Sequence, residues 1–287
     1  MLVAVWAWSF IPDGPATVKW LTARQRKVAV LRLRQEKEGD EEEDDQLSSR
    51  KPSVNPKEIL QTLRDPKAYL TAFMFFSCNV AFGSIPVFLP TIIRDMGFES
   101  ITAQGMTVPP YLTAFLVIIA TAYYSDRLQT RSTFIIAHAS LAALAYATIA
   151  VLGYYKSPHS LVRYFALYPA ISGFFSCITV IITWTINNQE SDSKKGAGMA
   201  VLNIIGQFGP LVGASIFPDE EGPWYVKGMA ICAGVMVMVA VLAGVLRWVL
   251  IRENKKARRG QGGGAYANVP LDEGGRAGDG KVFEFML

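Results

Sequence analysis

Residues 123–131, YYSDRLQTR, form a polar stretch wedged between two apolar runs, YLTAFLVIIATA ahead of it and STFIIAHASLAALAYATIAVLGY behind it. The second flank, and the first once it is taken back to Ala103, lie near the length an α-helix needs to cross about 30 Å of hydrocarbon, roughly twenty residues at about 1.5 Å each. A connection this short turns the chain back on itself. The flanks are therefore expected to form an antiparallel hairpin whose turn carries one carboxylate, Asp126, and two guanidiniums, Arg127 and Arg131.

The rest of the chain fits a membrane setting. Of its 287 residues 51% are hydrophobic and the mean hydropathy is +0.25, which is more apolar than a soluble domain of this size. Charges crowd into residues 13–67 and into the segment after Leu250, and are sparse between. Six apolar runs reach spanning length: residues 69–88, 103–124, 132–153, 162–187, 196–217 and 226–250. The expected fold class is all-α, a polytopic bundle of six transmembrane helices plus an N-terminal partial span. Met1–Phe10 (MLVAVWAWSF) would extend only about 15 Å as a helix, and reads as the final turns of a span that begins before Met1. It lacks the basic start and small-residue cleavage site of a secretory signal. The domain reading is a truncated span over 1–12, an inter-half linker over 13–67, the six-helix bundle over 68–251 and a flexible tail over 252–287.

Orientation follows from Lys and Arg. With the six spans taken in order, one set of loops holds Lys19, Arg24, Arg26, Lys27, Arg64, Lys67, Arg127, Arg131, Lys194, Lys195, Arg252, Lys255 and Lys256, among others. The opposite set holds Arg94, Lys156, Arg163 and Lys227. The linker and the C-terminus are expected on the cytoplasmic side of a multi-pass protein of the plasma membrane. The basic residues flank apolar spans instead of covering one face of a domain, which argues against a nucleic-acid partner. Cys78, Cys177 and Cys232 fall inside apolar runs and read as small buried apolar residues. No metal-ligand cluster, phosphate-cradling Gly loop or Ser-His-Asp set is visible, so neither an enzyme nor a cofactor is expected.

Within the linker, Thr22 and Gln25 have the spacing of a capping box opening a basic helix to about Glu38. That helix either lies on anionic lipid or simply connects two halves in water. The run Glu41–Asp45 reads as an acidic spacer, and the Gly-rich stretch from Gly260 as a tail without fixed fold.

At the hairpin turn, Asp126 can accept from helix-start amides, and Arg127 and Arg131 can reach headgroups or carboxylates on a neighbouring bundle. Simple positive-inside anchoring would explain the arginines but not the aspartate. From Ala122 to Arg131 the order A-Y-Y-S-D-R-L-Q-T-R resembles the loop motif G-x-x-x-D-R-x-x-x-R of the major facilitator superfamily, with Ala122 at the Gly position. The resemblance implies the second six-helix half of a twelve-span transporter, in which this loop holds the inward gate closed against the other half. FIPDGPATVKWLTARQRKVAVLRL, LRDPKAYL, WTINNQESDSKKGAGMAVLNIIGQFGPLVGASIFP and PWYVKGM are similar to the fungal allantoate permease and nicotinic-acid transporter branch of anion:cation symporters.

That resemblance implies a secondary active transporter of a small organic anion, a carboxylate such as nicotinate or allantoate, proton-coupled in full-length form. Its partners would be the anion, a proton, the lipid bilayer, and the missing N-terminal six-helix half or a paired bundle. The alternative is a transport-incompetent membrane protein that acts only as an interaction partner. In transporters of this plan the substrate sits near the midplane, where Gly and Pro interrupt helices. Asn79, Thr183, Trp184, Asn203 and Gln207 are the cavity candidates, with Asp126, Arg127 and Arg131 as the gating set. A buried amide in lipid can equally be glue between helices. No Asp, Glu, Lys or Arg lies deep in a span, and His138 reads either as a hydrogen-bonded helix histidine or as a proton carrier.

Overall fold

The structure is a computed structural model that describes residues 18, 21–31, 56–189, 191–264, 285 and 286. They belong to two compact units, residues 1–54 and 55–287. In the first unit a helix covers residues 23–31. The Thr22 amide donates to Gln25 Oε1 at 3.0 Å and the Gln25 amide donates to Thr22 Oγ1 at 3.4 Å, the reciprocal pairing of a capping box. Met1–Phe10, the expected continuation to Glu38 and the acidic run lie outside the described residues.

The second unit opens with α1 (Pro56–Arg64) and α2 (Pro66–Asp95). A short α3 (Ser100–Gly105) precedes α4 (Val108–Leu128), followed by α5 (Arg131–Tyr154) and α6 (Ser160–Asn187). Then come α7 (Asp192–Gly206), α8 (Gly209–Gly213) and α9 (Val226–Gly264). No strand occurs among the described residues. Six helical stretches are long and apolar enough to cross a membrane, with α3–α4 and α7–α8 each counting as one.

Two boundaries differ from the sequence reading, each for a local reason. The first span was expected to end at residue 88, yet α2 runs on through Pro86 and Pro90 to Asp95. A proline removes one amide donor and crowds the carbonyl four residues back, and neighbouring helices make that tolerable in a membrane bundle. The fifth span is divided where expected: α7 ends at Gly206 and α8 starts at Gly209, with Pro210 at its beginning, where a missing N–H is harmless. The last helix continues past Gly260 to Gly264, and Phe285 and Met286 of the tail are hydrogen-bonded to the bundle.

The hairpin partners α4 and α5 pack only lightly on each other. Instead α4 packs on α6, α5 packs on α6 and α9, and α7 and α8 pack on α2, which also meets α6 and α9. This order leaves α4 and α7–α8 at the two edges of the bundle. Trp184, Tyr146, Phe174 and Met74 fill its core, together with the thiols Cys78, Cys177 and Cys232, all free and buried.

Burial of apolar surface drives little association when lipid is as apolar as the helix, so close packing must hold the spans together. The α2 contact with α7–α8 is built that way. A Cβ added at Gly83 would lie 2.5 Å from Pro210 Cα, one at Gly209 2.5 Å from the Phe76 carbonyl, and one at Gly213 2.3 Å from the Val80 carbonyl.

Candidate functional site

The cavity candidates separate once the helices are placed. Asn79 is buried in α2, and its Nδ2 donates to the Gly206 carbonyl at 3.1 Å. That carbonyl lies at the end of α7, where the helix stops and its last carbonyls need donors. Asn79 thereby ties the interruption of the fifth span to the first. Asn203 and Gln207 do not join it. Both are exposed, Asn203 in the last turn of α7 and Gln207 as the residue that caps its C-terminus, with Asn203 Nδ2 returned to the Met199 carbonyl at 2.8 Å.

On α6, the Thr183 hydroxyl donates to the Thr179 carbonyl at 3.0 Å, as hydroxyls in helices do when no better partner faces them. Trp184 is fully buried, and its indole N–H donates to the Met286 carbonyl at 2.8 Å. The five candidates therefore form no single cluster: Asn79 is an interhelical tie, Thr183 and Trp184 lie near the C-terminal end of α6, and Asn203 with Gln207 faces outward at the α7 edge.

The opening hairpin closes on itself. Gln129 ends α4 in the left-handed region at φ 52°, which lets the chain reverse within two residues. Arg131, the first residue of α5, is 5% exposed. Its guanidinium donates to Ser125 Oγ at 3.0 Å and pairs with the Asp126 carboxylate, while Gln129 Nε2 donates to the Asp126 carbonyl at 2.6 Å. The Asp126 carboxylate thus turns to Arg131 and not to helix-start amides, and Arg131 is committed inside the chain. Arg127 is exposed beside it. Of the two guanidiniums, Arg127 is the one positioned to meet something outside this bundle.

His138 shares a hydrogen bond of 2.8 Å with Thr121 Oγ1 across the hairpin. Arg247 of α9 donates to Thr133 Oγ1 at 2.6 Å, tying the last helix to the start of α5.

Arg163 was read from sequence as a loop charge. It is buried in the first turn of α6, with Nη2 donating to the Pro223 carbonyl at 3.1 Å and its guanidinium 4.8 Å from the Trp224 ring centre. Nearby, Tyr225 donates to Asp95 Oδ2 at 3.0 Å. This lock between spans was legible only as the aromatic pair Trp224-Tyr225 following Pro223. Its basic and acidic partners lie about 60 and 130 residues away in the chain.

Residues 1–214 match the Major Facilitator Superfamily. Over 256 residues the chain is 31% identical to the MFS transporter prlL of Fungal sp. (strain NRRL 50135), covering 88% of this chain and 49% of that protein. It is 30% identical over 201 residues to the high-affinity nicotinic acid transporter of Saccharomyces cerevisiae, 70% of this chain and 37% of that one. With the MFS-type transporter cnsO of Penicillium expansum the identity is 29% over 215 residues, 71% of this chain and 41% of that protein. A six-span helical bundle with the A-x-x-x-D-R-x-x-x-R hairpin, matching over this length, belongs to the Major Facilitator Superfamily. It is a multi-pass membrane protein of a transporter family, not an enzyme. The chain spans about half the length of the curated relatives it matches, or less.

Proposed function

We propose that this chain works as one bundle of a secondary transporter for a small organic anion, facing a second six-helix bundle across the α4 and α7–α8 edges. The observation that carries this reading is the placement of those edges. The α3–α4 span has the least of its surface buried within the chain, and α7 presents the amides of Asn203 and Gln207 outward. Exposed amides at membrane depth are costly against lipid and inexpensive against a partner helix or a water-filled cavity. Rocking of the two bundles would expose a midplane site to each side in turn, with Asp126, Arg127 and Arg131 steadying one closed state. The Lys/Arg distribution supports a cytoplasmic linker and C-terminus.

The substrate class rests on likeness. One relative is named a high-affinity nicotinic acid transporter, and nicotinate, allantoate and related carboxylates are the compounds to try first. Charge to balance such an anion and to couple its movement to protons would come from the second bundle, because the spans here carry no deep acidic or basic residue.

The test is uptake into proteoliposomes under an inward proton gradient. The chain alone is expected to give no saturable uptake. Fused behind the first half of the 31%-identical relative, it is expected to give saturable uptake of at least one small carboxylate. Gradient-driven uptake by the chain alone would overturn the need for a second bundle. A fused form indifferent to every carboxylate would overturn the substrate class.

A further inference from the structure

Two residues of the C-terminal segment sit among the ends of three helices, and the contacts they make are those of a bound peptide. The Asn254 side chain on α9 pairs with both backbone polar groups of Phe285: its Nδ2 donates to the Phe285 carbonyl at 2.9 Å and its Oδ1 accepts from the Phe285 amide at 3.0 Å. Asn188, the residue that caps α6, treats Met286 in the same way. Its Oδ1 accepts from the Met286 amide at 2.8 Å and its Nδ2 donates to the Met286 carbonyl at 3.2 Å. A carboxamide presents one donor and one acceptor side by side, the same pair that a neighbouring β-strand offers. Such a pair recognises main chain whatever its sequence.

Successive residues of an extended chain direct their polar groups to opposite sides. Reading two in a row therefore takes two amides flanking the segment, and α6 and α9 supply one each. Side-chain selectivity is added at both positions. The Lys67 ammonium at the start of α2 stands 4.1 Å from the centre of the Phe285 ring, a cation–π contact, and the ring packs against the main apolar core. The Met286 thioether accepts from Asn187 Nδ2 at 3.5 Å. The fully buried Trp184 indole also takes the Met286 carbonyl as its acceptor, at 2.8 Å. Lys67 further bridges to Glu253, the neighbour of Asn254, at 2.8 Å, which fixes α2 against α9 around the seat.

We propose that the adjoining ends of α2, α6 and α9 form a peptide-binding cradle, that its ligand is this chain's own Phe285-Met286 segment, and that the docked segment clasps the three helix ends together. Mediating groups come from all three helices, so withdrawal of the segment would remove the hydrogen bonds through which α6 and α9 hold a common partner at this end. The site does not depend on which solute the bundle handles.

Hydrogen exchange read by mass spectrometry on the whole 287-residue chain in nanodiscs tests this. Backbone amides of Phe285 and Met286 are expected to exchange at least about tenfold more slowly than in the free peptide KVFEFML, because both are held by carboxamide acceptors. In the Asn188→Ala/Asn254→Ala double variant that protection should vanish while exchange across α5 stays unchanged. Phe285→Asp alters the ligand and leaves every helix intact, so it should also release the Met286 amide; it decides the matter if the double variant disturbs α5. Wild-type exchange at the free-peptide rate, or protection that survives Phe285→Asp, would overturn the proposal.

Discussion

Gly213→Val in α8 is expected to remove the protein from the monodisperse peak in size-exclusion chromatography and to cost about 3 kcal/mol or more of stability. A Cβ at this position would lie 2.3 Å from the Val80 carbonyl oxygen and 3.2 Å from the Ser84 amide nitrogen. Both neighbours are backbone atoms of α2, and a helix backbone cannot swing aside as a side chain can. Relief requires α2 and α8 to separate, which also parts Gly209 from Phe76 and Gly83 from Pro210. The spacing Gly209-x-x-x-Gly213 is the small-residue pattern that lets helix backbones touch in lipid. A control is built into α9, where a Cβ at Gly234 meets nothing within 4 Å. Gly234→Ala should leave elution and thermal midpoint unchanged. Equal behaviour of the two variants would remove the close approach of α2 and α8 from the explanation of this fold.

Asp126→Asn is expected to lower stability by about 1–2 kcal/mol, whereas Arg127→Ala should change it by less than about 0.5 kcal/mol. Arg131 lies almost wholly inside the protein, with Asp126 as its carboxylate partner and Ser125 as its neutral one. Neutralising Asp126 leaves a buried guanidinium with hydrogen bonds but no counter-charge. The figure stays below that of a fully buried pair because the Asp126 side chain is 63% exposed and its charge is partly screened. Thermal unfolding of the two variants side by side reads the difference. Equal midpoints would mean that the pair holds no structure together and that the hairpin is shaped by its αL turn alone. In a two-bundle transporter the order should reverse for uptake: Arg127→Ala, with its guanidinium facing outward, should impair transport while sparing stability.

Much of the bundle could be read from the chain because the bilayer imposes a length scale. Six apolar runs near twenty residues and buried thiols at Cys78, Cys177 and Cys232 follow from that scale; the turn is tighter than the polar stretch 125–131 suggested, because the helices run on to Leu128 and resume at Arg131. Depth along a span was therefore legible, but azimuth was not. Asn79 and Asn203 both lie inside apolar spans, yet one faces α7 and the other faces outward, and nothing in an all-apolar surround distinguishes those directions. In a soluble helix the polar stripe would mark the outside; in lipid both faces are apolar.

Proline and glycine were ambiguous for a related reason. Pro86 and Gly209-Pro210 are helix breakers alike by residue type, yet Pro86 is carried through and Gly209-Pro210 divides the fifth span. Gly83 and Gly213 matter as contacts, not as breaks, and that depends on a partner helix more than a hundred residues away. The seat of Phe285-Met286 was hidden by a composition of Gly and charge that gives no sign of docking. Its receptors, Asn188 and Asn254, stand in the sequence as ordinary polar residues at helix ends.

The face that α7 turns outward decides whether the chain is one half of a paired transporter. Cysteines placed at Asn203 and Gln207 report on it, because the three native thiols are buried and should contribute little background. The measurement is labelling by a charged, membrane-impermeant maleimide in the membrane of the protein's own cell, compared with Leu144→Cys on the exposed apolar face of α5, away from the proposed pairing edges. Pairing around a water-filled site predicts that Asn203→Cys and Gln207→Cys are labelled and are protected by a transported anion, while Leu144→Cys stays unlabelled. If both amide positions behave like Leu144→Cys, the amides face lipid, and a transport cavity on this side of the bundle is contradicted.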